Sequence, residues 1–201
     1  MAYRRTPKVQ ERLDALRDSI LDATVRQLAE HGYSGCSVAA VAERAGVAVG
    51  TVYRHFPTKA DLVVRVFRQV VSREVEAVRS AAGGPADPVA RVVAVFETFA
   101  VRALKAPRLA YALLAEPVDA VIDAERLEFR RVFRDVVAEH VAEGVRTGVL
   151  PAQDAAVSAA ALVGAAAEVL IGPLTCGGSA EVSELSTFVV RSLGGSDARN
   201  A

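Results

Sequence analysis

The stretch VAAVAERAGVAVGTVYRHF, residues 38–56, decides the fold of this chain. Its first half has the spacing of a helix with one buried face, with apolar residues at Val38, Val41, Ala42 and Ala45. Gly46 follows, where the end of a helix favours a residue that tolerates positive φ. The sequence therefore predicts a short helix, a tight turn at residues 45–47 and a second short helix over about 49–55.

The second helix is too short to be stable alone, so neighbouring elements must hold it. Val52 and Phe56 are its expected apolar anchors. The other side chains share the outward faces, with small residues first and larger polar ones later: Ala48, Val49, Gly50, Thr51, Tyr53, Arg54 and His55. Such a helix suits the major groove of DNA, because small residues permit close approach and larger ones reach phosphates.

Composition agrees with a two-part helical protein. Of the 201 residues, 52% are hydrophobic and 5% aromatic, with Ala and Val dominant, which favours helices. The formal net charge is zero, but residues 1–60 carry nine Lys/Arg against six Asp/Glu, a net charge of +3. A basic first third on a mildly acidic remainder fits a nucleic-acid module joined to another domain.

Hydrophobic periodicity predicts an all-α fold of about nine helices and no strand. A first helix over about 11–31 ends at Gly32, and Thr58 with Asp61 forms a capping box that opens a long helix over 59–82. We therefore predict a helix-turn-helix domain at 1–57, a connecting helix at 58–82 and a second domain at 83–201. We also expect a break near Ala124 and a helix end at Gly172.

Several function classes are disfavoured. The two cysteines, Cys36 and Cys176, are far apart and form neither a disulfide framework nor a metal site. The sequence has no metal-ligand cluster, phosphate-binding glycine loop or nucleophile motif, so we predict no enzyme, no metal and no cofactor. Glu168 and the Ala and Gly content of the apolar run 155–174 favour a buried helix over a membrane span, so no membrane partner is expected.

A wider pattern resembles the TetR family of bacterial transcriptional repressors. It consists of Gly32-Tyr33, Ser37, Val41-Ala42, Ala45-Gly46-Val47, Gly50-Thr51-Val52-Tyr53, His55-Phe56, Lys59 and Leu62, within about residues 17–67. The resemblance implies a cytoplasmic homodimer that binds a near-palindromic DNA operator. It also implies a small-molecule effector in the second domain and a dimer interface formed by the last two long helices.

Carried over by position, Ser37, Tyr53, His55 and Lys59 would contact phosphates, and residues 48–51 would face base edges. Val49 stands where the family often has Lys or another polar residue, and it offers only an apolar contact, for example with a thymine methyl. Hydrogen-bonded readout then falls to Thr51, Arg44 or Arg54. The residues Arg4, Arg5 and Lys8 fit either an arm in the minor groove or a solvated tail.

Candidate effector contacts lie in the second domain: Phe96, Phe99, Leu113, Glu116, Phe129, Phe133 and Glu168. Four aromatics at helical spacing are more typical of a core than of a pocket. Glu168 is the single charge between Asp154 and Glu181, and a carboxylate there needs a partner or water. It would meet a cationic ligand, Arg102 or Arg130, or lie at a wet edge of a dimer interface. The Ala-, Val- and Phe-rich domain favours a largely apolar effector.

Small residues on the eighth helix and apolar residues on the ninth are the predicted dimer interface: Ala160, Gly164, Ala167, Val182, Leu185 and Val189. The leading hypothesis is a dimeric, sequence-specific DNA-binding repressor that a small apolar ligand releases from its operator. The alternative is a ligand-independent DNA-binding regulator whose second domain only dimerises.

Overall fold

A computed structural model describes residues 7–84, 86–176 and 182–194 of the chain. Within these residues the structure consists of nine α helices and no strand. Their bounds are α1 Pro7–Gly35, α2 Val38–Ala45, α3 Val49–His55, α4 Lys59–Ala82, α5 Pro88–Lys105, α6 Pro107–Leu114, α7 Ala120–Arg146, α8 Ala155–Cys176 and α9 Val182–Ser192. The predicted all-α fold is confirmed.

The local signals around α2 and α4 act as predicted. The Ser37 hydroxyl accepts a hydrogen bond from the Ala40 amide at 3.1 Å, which caps the N-terminus of α2. Gly46 ends α2 with φ +67°. Thr58 and Asp61 form the full reciprocal capping box at the start of α4. These caps set the directions of α3 and α4 relative to α2.

Helix α1 is longer than predicted and contains a kink. It begins at Pro7, and at Gly32 the backbone leaves the helical region with φ +68° and ψ −173° before one more turn reaches Gly35. The predicted N-terminal arm is therefore shorter, because Lys8 already belongs to α1. Arg4 and Arg5 lie outside the described residues.

Two sequence expectations about helix ends are wrong. Helix α7 runs through Ala124 without a break, and its neighbours Ile122 and Arg126 are both buried. Ala is the best helix former, so the chain has no local reason to break there. Helix α8 continues past Gly172 and Pro173 to Cys176. A proline near the end of a helix costs few backbone hydrogen bonds, since little helix follows it.

The second domain is built on α5 and α7, which pack against α4, α8 and α9. Its centre holds fully buried side chains from α5, among them Val92, Val95 and Phe96. By length and composition alone, α8 is apolar enough to cross a membrane. One of its faces packs into this core through Ala159, Leu162, Ala166, Leu170 and Leu174, so α8 is a component of the helical bundle.

Candidate nucleic-acid interface and ligand cavity

Helix α3 lies on the surface and is held from below by two side chains. Val52 and Phe56 are 1% and 3% exposed, as predicted for the anchors. Val49 and Tyr53 are 41% and 47% exposed, and a Cβ added at Gly50 would meet no atom within 4 Å. This face is therefore open to a partner. It carries an apolar side chain at Val49, no side chain at Gly50 and an aromatic ring at Tyr53.

The structure places the predicted DNA contacts together around α2, α3 and the start of α4. Those exposed to solvent are Ser37, Arg44, Ala48, Val49, Gly50, Tyr53 and Arg54, and those half-buried are Thr51, His55 and Lys59. Their roles in DNA contact stay predictions.

Two of these side chains already have partners inside the protein. The Arg44 guanidinium forms a bidentate ion pair with Glu30 of α1, and the hydrogen bond holds the pKa of that carboxyl below its usual range. The Lys59 ammonium donates to the Tyr33 carbonyl at 2.7 Å and lies 3.9 Å from the centre of the Tyr33 ring. Both cations therefore help to hold α1 against α2 and α4, whichever phosphates they reach.

A partly open cavity of about 80 Å³ lies between α4, α5, α6 and α7. Three predicted ligand contacts line it: Phe99, Leu113 and Phe129. Phe67, Leu109 and Ala110 complete much of the apolar wall. At the rim, the Arg102 guanidinium forms two hydrogen bonds with Glu74, at 2.6 and 2.8 Å. The cavity is thus an apolar chamber with one ion pair at its edge.

A second chamber of about 20 Å³ adjoins the first. Both are lined by Phe99, Leu114 and Phe129, and the second also by the predicted residues Phe96 and Phe133. The Phe99 ring centre is 5.0 Å from that of Phe133 and 6.4 Å from that of Phe129. Aromatic side chains therefore form the partition between two chambers.

The structure corrects the assignment of two carboxylates to the ligand site. Glu116 lies outside the cavity, and its carboxylate accepts hydrogen bonds from the backbone amides of Tyr33 and Ser34 at 2.7 and 3.1 Å. Glu168 is exposed on α8, also outside the cavity, and Arg102 is paired with Glu74 instead. The face of α8 that carries Glu168 is open within this chain, so the carboxylate reaches the surface.

Glu116 belongs to a polar joint between the two domains that sequence reasoning missed. The Tyr33 hydroxyl donates a short hydrogen bond to Asp119, and Arg108 of α6 donates to the Glu30 carbonyl. Burial, followed by the bond to Asp119, raises the pKa of Tyr33. The kink at Gly32 interrupts the hydrogen bonding within α1, and the amides of the next two residues donate to the Glu116 carboxylate instead. A glycine before Tyr33 was the one sequence signal of this joint.

Arg126 of α7 secures the other end of the joint. It is 7% exposed, and its guanidinium donates to the carbonyls of Leu113 at 3.0 Å and Glu116 at 2.8 Å. Asp123 pairs with it at 3.0 Å, while burial lowers the pKa of the guanidinium. The C-terminal end of α6 is therefore fixed to α7, and α6 connects the cavity wall to the joint.

The outer faces of α8 and α9 partly correct the predicted dimer interface. Leu185 and Val189 are 5% and 0% exposed inside this chain, because the apolar stripe of α9 faces α5. Ala160, Ala167 and Val182 are half-buried.

Gly164 is exposed and lies on a stripe of exposed positions at helical spacing along α8: Val157, Ala161, Gly164, Glu168 and Gly172. Phe188 of α9, 45% exposed, adds a large apolar side chain.

Within the described ranges, no group of three or more His, Cys, Asp or Glu side chains could hold a metal ion. The arrangement of the remaining features defines a class. A small domain of α1–α3 presents an exposed second helix after a glycine turn, and α4 connects it to a helical domain with a cavity. This is the architecture of a two-domain helix-turn-helix regulator.

Comparison with known proteins agrees with this class. Residues 20–66 match the family model of bacterial regulatory proteins, tetR family. Over 61 residues the chain is 49% identical to the HTH-type transcriptional repressor KstR of Rhodococcus jostii strain RHA1, and over 57 residues it is 39% identical to a fatty acid metabolism regulator protein of Bacillus subtilis strain 168. Each match covers 28% of this chain and 29% of the relative, so it spans less than a third of either protein.

Solved structures resemble the chain over most of its length. The transcriptional regulator FadR from Bacillus subtilis in complex with stearoyl-CoA has a TM-score of 0.77 at 21% identity, covering 90% of this chain and 99% of that one. A TetR transcription regulator from Haloarcula marismortui has a TM-score of 0.79 at 20% identity, covering 90% and 97%. At such identities the likeness shows the fold. The match to the tetR family of bacterial regulatory proteins is therefore specific for residues 20–66, and the rest of the chain shares the fold of these structures.

Proposed function

We propose that this chain is a cytoplasmic, homodimeric transcriptional repressor that binds DNA through α2 and α3 and acts by binding rather than catalysis. The observation that carries the proposal is the open face of α3, with Val49, Gly50 and Tyr53 exposed in the region that matches the family model. A single seven-residue helix offers few base contacts. Two such helices at a fixed spacing of about 34–36 Å would read successive major grooves of a near-palindromic operator.

The dimer would form through the exposed stripe of α8 and Phe188 of α9. Gly164 is open: beyond the nearby backbone of its own helix, no atom of the described residues lies within 4 Å of an added Cβ, so a partner helix has close access there. In a two-fold dimer the same stripe meets its own copy, which buries small residues against each other. Such pairing explains why this α8 face carries small and apolar residues outside the core, with Glu168 at a wet edge of the interface.

We expect Phe188→Glu to convert the dimer to a monomer at micromolar concentration. A two-fold interface would receive two unpaired charges, each of which is costly to bury. Light scattering after size exclusion measures the mass. Leu127→Glu is the matched control, because Leu127 is also exposed, at 59%, but lies on α7. Equal masses for both variants and the wild type would exclude this interface.

The effector we propose is an apolar molecule with a long acyl chain. The cavity wall is apolar, and FadR from Bacillus subtilis, which shares the fold, was crystallised with stearoyl-CoA. An 80 Å³ chamber is smaller than typical ligand sites, so an acyl chain must displace the partition formed by Phe99, Leu114 and Phe129. Ligand binding thus favours an expanded state in which α6 has moved.

The small cavity also favours a second candidate function, a regulator that binds DNA without any effector. The two candidates differ in a gel-shift experiment with DNA from beside the protein's own gene. We expect stearoyl-CoA to release the wild-type protein from this DNA, and Ala110→Phe to bind the DNA but resist release, because the new ring fills the cavity. Ala142→Phe, at an exposed position of α7 away from the cavity and the proposed dimer face, tests for a general effect of added bulk. Release of Ala110→Phe at the wild-type ligand concentration would contradict the cavity assignment.

A further inference from the structure

Three concavities meet around helix α4. The apolar cavity and an open groove of about 720 Å³ between α4 and α7 share Phe67, Val71 and Phe129. That α4–α7 groove in turn shares Arg68 and Ser72 with a third groove of about 510 Å³ between α1 and α4. The three spaces are therefore adjacent around α4, and we call them together the trough. The shared side chains Phe67, Val71 and Phe129 form the wall between the cavity and the α4–α7 groove, and displacement of Phe129 by an acyl chain, as proposed above, would join the two.

The periodicity of α4 gives the course of this trough. Successive residues of an α helix are about 100° apart. The cavity is lined by Phe67, Val70, Val71 and Glu74, whereas the third groove is lined by Arg65, Gln69, Ser72 and Arg73 on nearly the opposite side of α4. The α4–α7 groove occupies the sector between them. A ligand that follows the trough would curve about half a turn around α4.

The chemistry changes along this path. The cavity is apolar, and the third groove contains four guanidinium groups, from Arg17, Arg65, Arg68 and Arg73, against the carboxylates of Asp14 and Asp18. We call it the arginine groove. Arg68 is bound by Glu125, and Arg17 lies over the Phe56 ring at 5.6 Å. Arg65 and Arg73 are exposed and form no ion pair within the described part of the chain.

From this geometry we infer that the effector is an amphiphile whose acyl chain enters the cavity and whose phosphate-bearing head lies in the arginine groove. The inference rests on the proposed effector and adds the binding site for its polar end. A linker of moderate length, such as the pantetheine arm of an acyl-CoA, would cross the α4–α7 groove past Ser72. Guanidinium groups suit phosphate oxygens because they donate paired hydrogen bonds.

This placement gives the head a direct contact with the DNA-binding domain. Arg17 of α1 belongs to that domain and lies over Phe56, the residue that anchors α3. A phosphate that draws Arg17 toward the groove removes this cation–π contact. An acyl-CoA would therefore act on α3 from the arginine groove as well as on α6 from the cavity.

The test compares stearoyl-CoA, stearate and free CoA by calorimetric titration of the full chain. For the wild type we expect stearoyl-CoA to bind about tenfold more tightly than stearate, with an affinity that falls as salt is added. The variant Arg65→Gln/Arg73→Gln loses this preference and keeps its affinity for stearate. Arg134→Gln/Arg146→Gln, with the same charge change on exposed positions of α7, keeps the preference.

Each other outcome has a distinct meaning. Equal binding of stearoyl-CoA and stearate by the wild type, or an undiminished preference in Arg65→Gln/Arg73→Gln, overturns the head site but leaves the acyl-chain cavity standing. Loss of DNA affinity by this variant without any ligand overturns it in favour of a DNA-backbone contact. If neither stearate nor stearoyl-CoA binds, the proposed acyl effector fails together with the head site.

Discussion

Gly50→Glu is expected to abolish specific DNA binding without unfolding the protein. The Cβ position at Gly50 is open, so the added side chain displaces nothing within the chain. On the exposed face of α3, however, a carboxylate would meet phosphates and base edges. At about 1–3 kcal/mol for each unfavourable base contact, two recognition helices lose roughly a hundredfold or more in affinity.

Gly50→Ala separates the backbone effect from the charge effect. Because Gly inside a helix is less favourable than Ala, the free energy of unfolding of this variant is expected to exceed that of the wild type by about 0.5–1 kcal/mol. Operator affinity by fluorescence anisotropy and stability by urea titration give both readouts. If Gly50→Glu binds operator within threefold of the wild type while staying folded, α3 is not the reading helix.

Glu116→Ala is expected to uncouple the effector from DNA. The Glu116 carboxylate accepts hydrogen bonds from the Tyr33 and Ser34 amides and from the Ser34 hydroxyl. It therefore joins the α6–α7 connection to the end of α1. Without this carboxylate, the Tyr33–Asp119 and Arg108–Glu30 bonds remain, but movement of α6 is transmitted to the end of α1 less effectively. Operator affinity of the free protein should stay within a few-fold, because the caps of α2 and α4 and the anchors of α3 are untouched.

The measurement is the ratio of operator dissociation constants with and without stearoyl-CoA. We expect about a hundredfold or more for the wild type and less than about tenfold for Glu116→Ala, a loss of roughly 1–2 kcal/mol of coupling. Glu116→Gln keeps one acceptor oxygen and should give an intermediate ratio. An unchanged ratio in Glu116→Ala would mean that the signal travels by another route, such as α4.

Within the first part of the chain, sequence alone was sufficient for α2, α3 and the start of α4, though not for the extent of α1, and the reason is physical. The bounds of these helices depend on local signals: the hydroxyl of Ser37, the left-handed Gly46, and the Thr58–Asp61 box. Each signal acts within a few residues and requires no knowledge of distant neighbours. The bounds of α3 and α4 follow from them directly.

The polar joint and the dimer face could not be predicted in this way. Tyr33 and Asp119 are 86 positions apart, and only tertiary packing brings them together. The apolar stripe of α9, with Leu185 and Val189, shows that one face is buried but not whether it meets this chain or a second copy. Likewise, the sequence does not say whether Glu168 faces the cavity or the surface of its apolar helix. The fold places it on the exposed face of α8.

Selection of duplexes from a random DNA pool, run in parallel with the wild type and Gly50→Glu, tests the central claim most directly. The account predicts that the wild type enriches one near-palindromic sequence with half-sites about one helical turn apart. Gly50→Glu should enrich none. A wild-type pool without any enriched sequence, or the same enriched sequence from Gly50→Glu, would contradict the proposal that this chain reads DNA through α3.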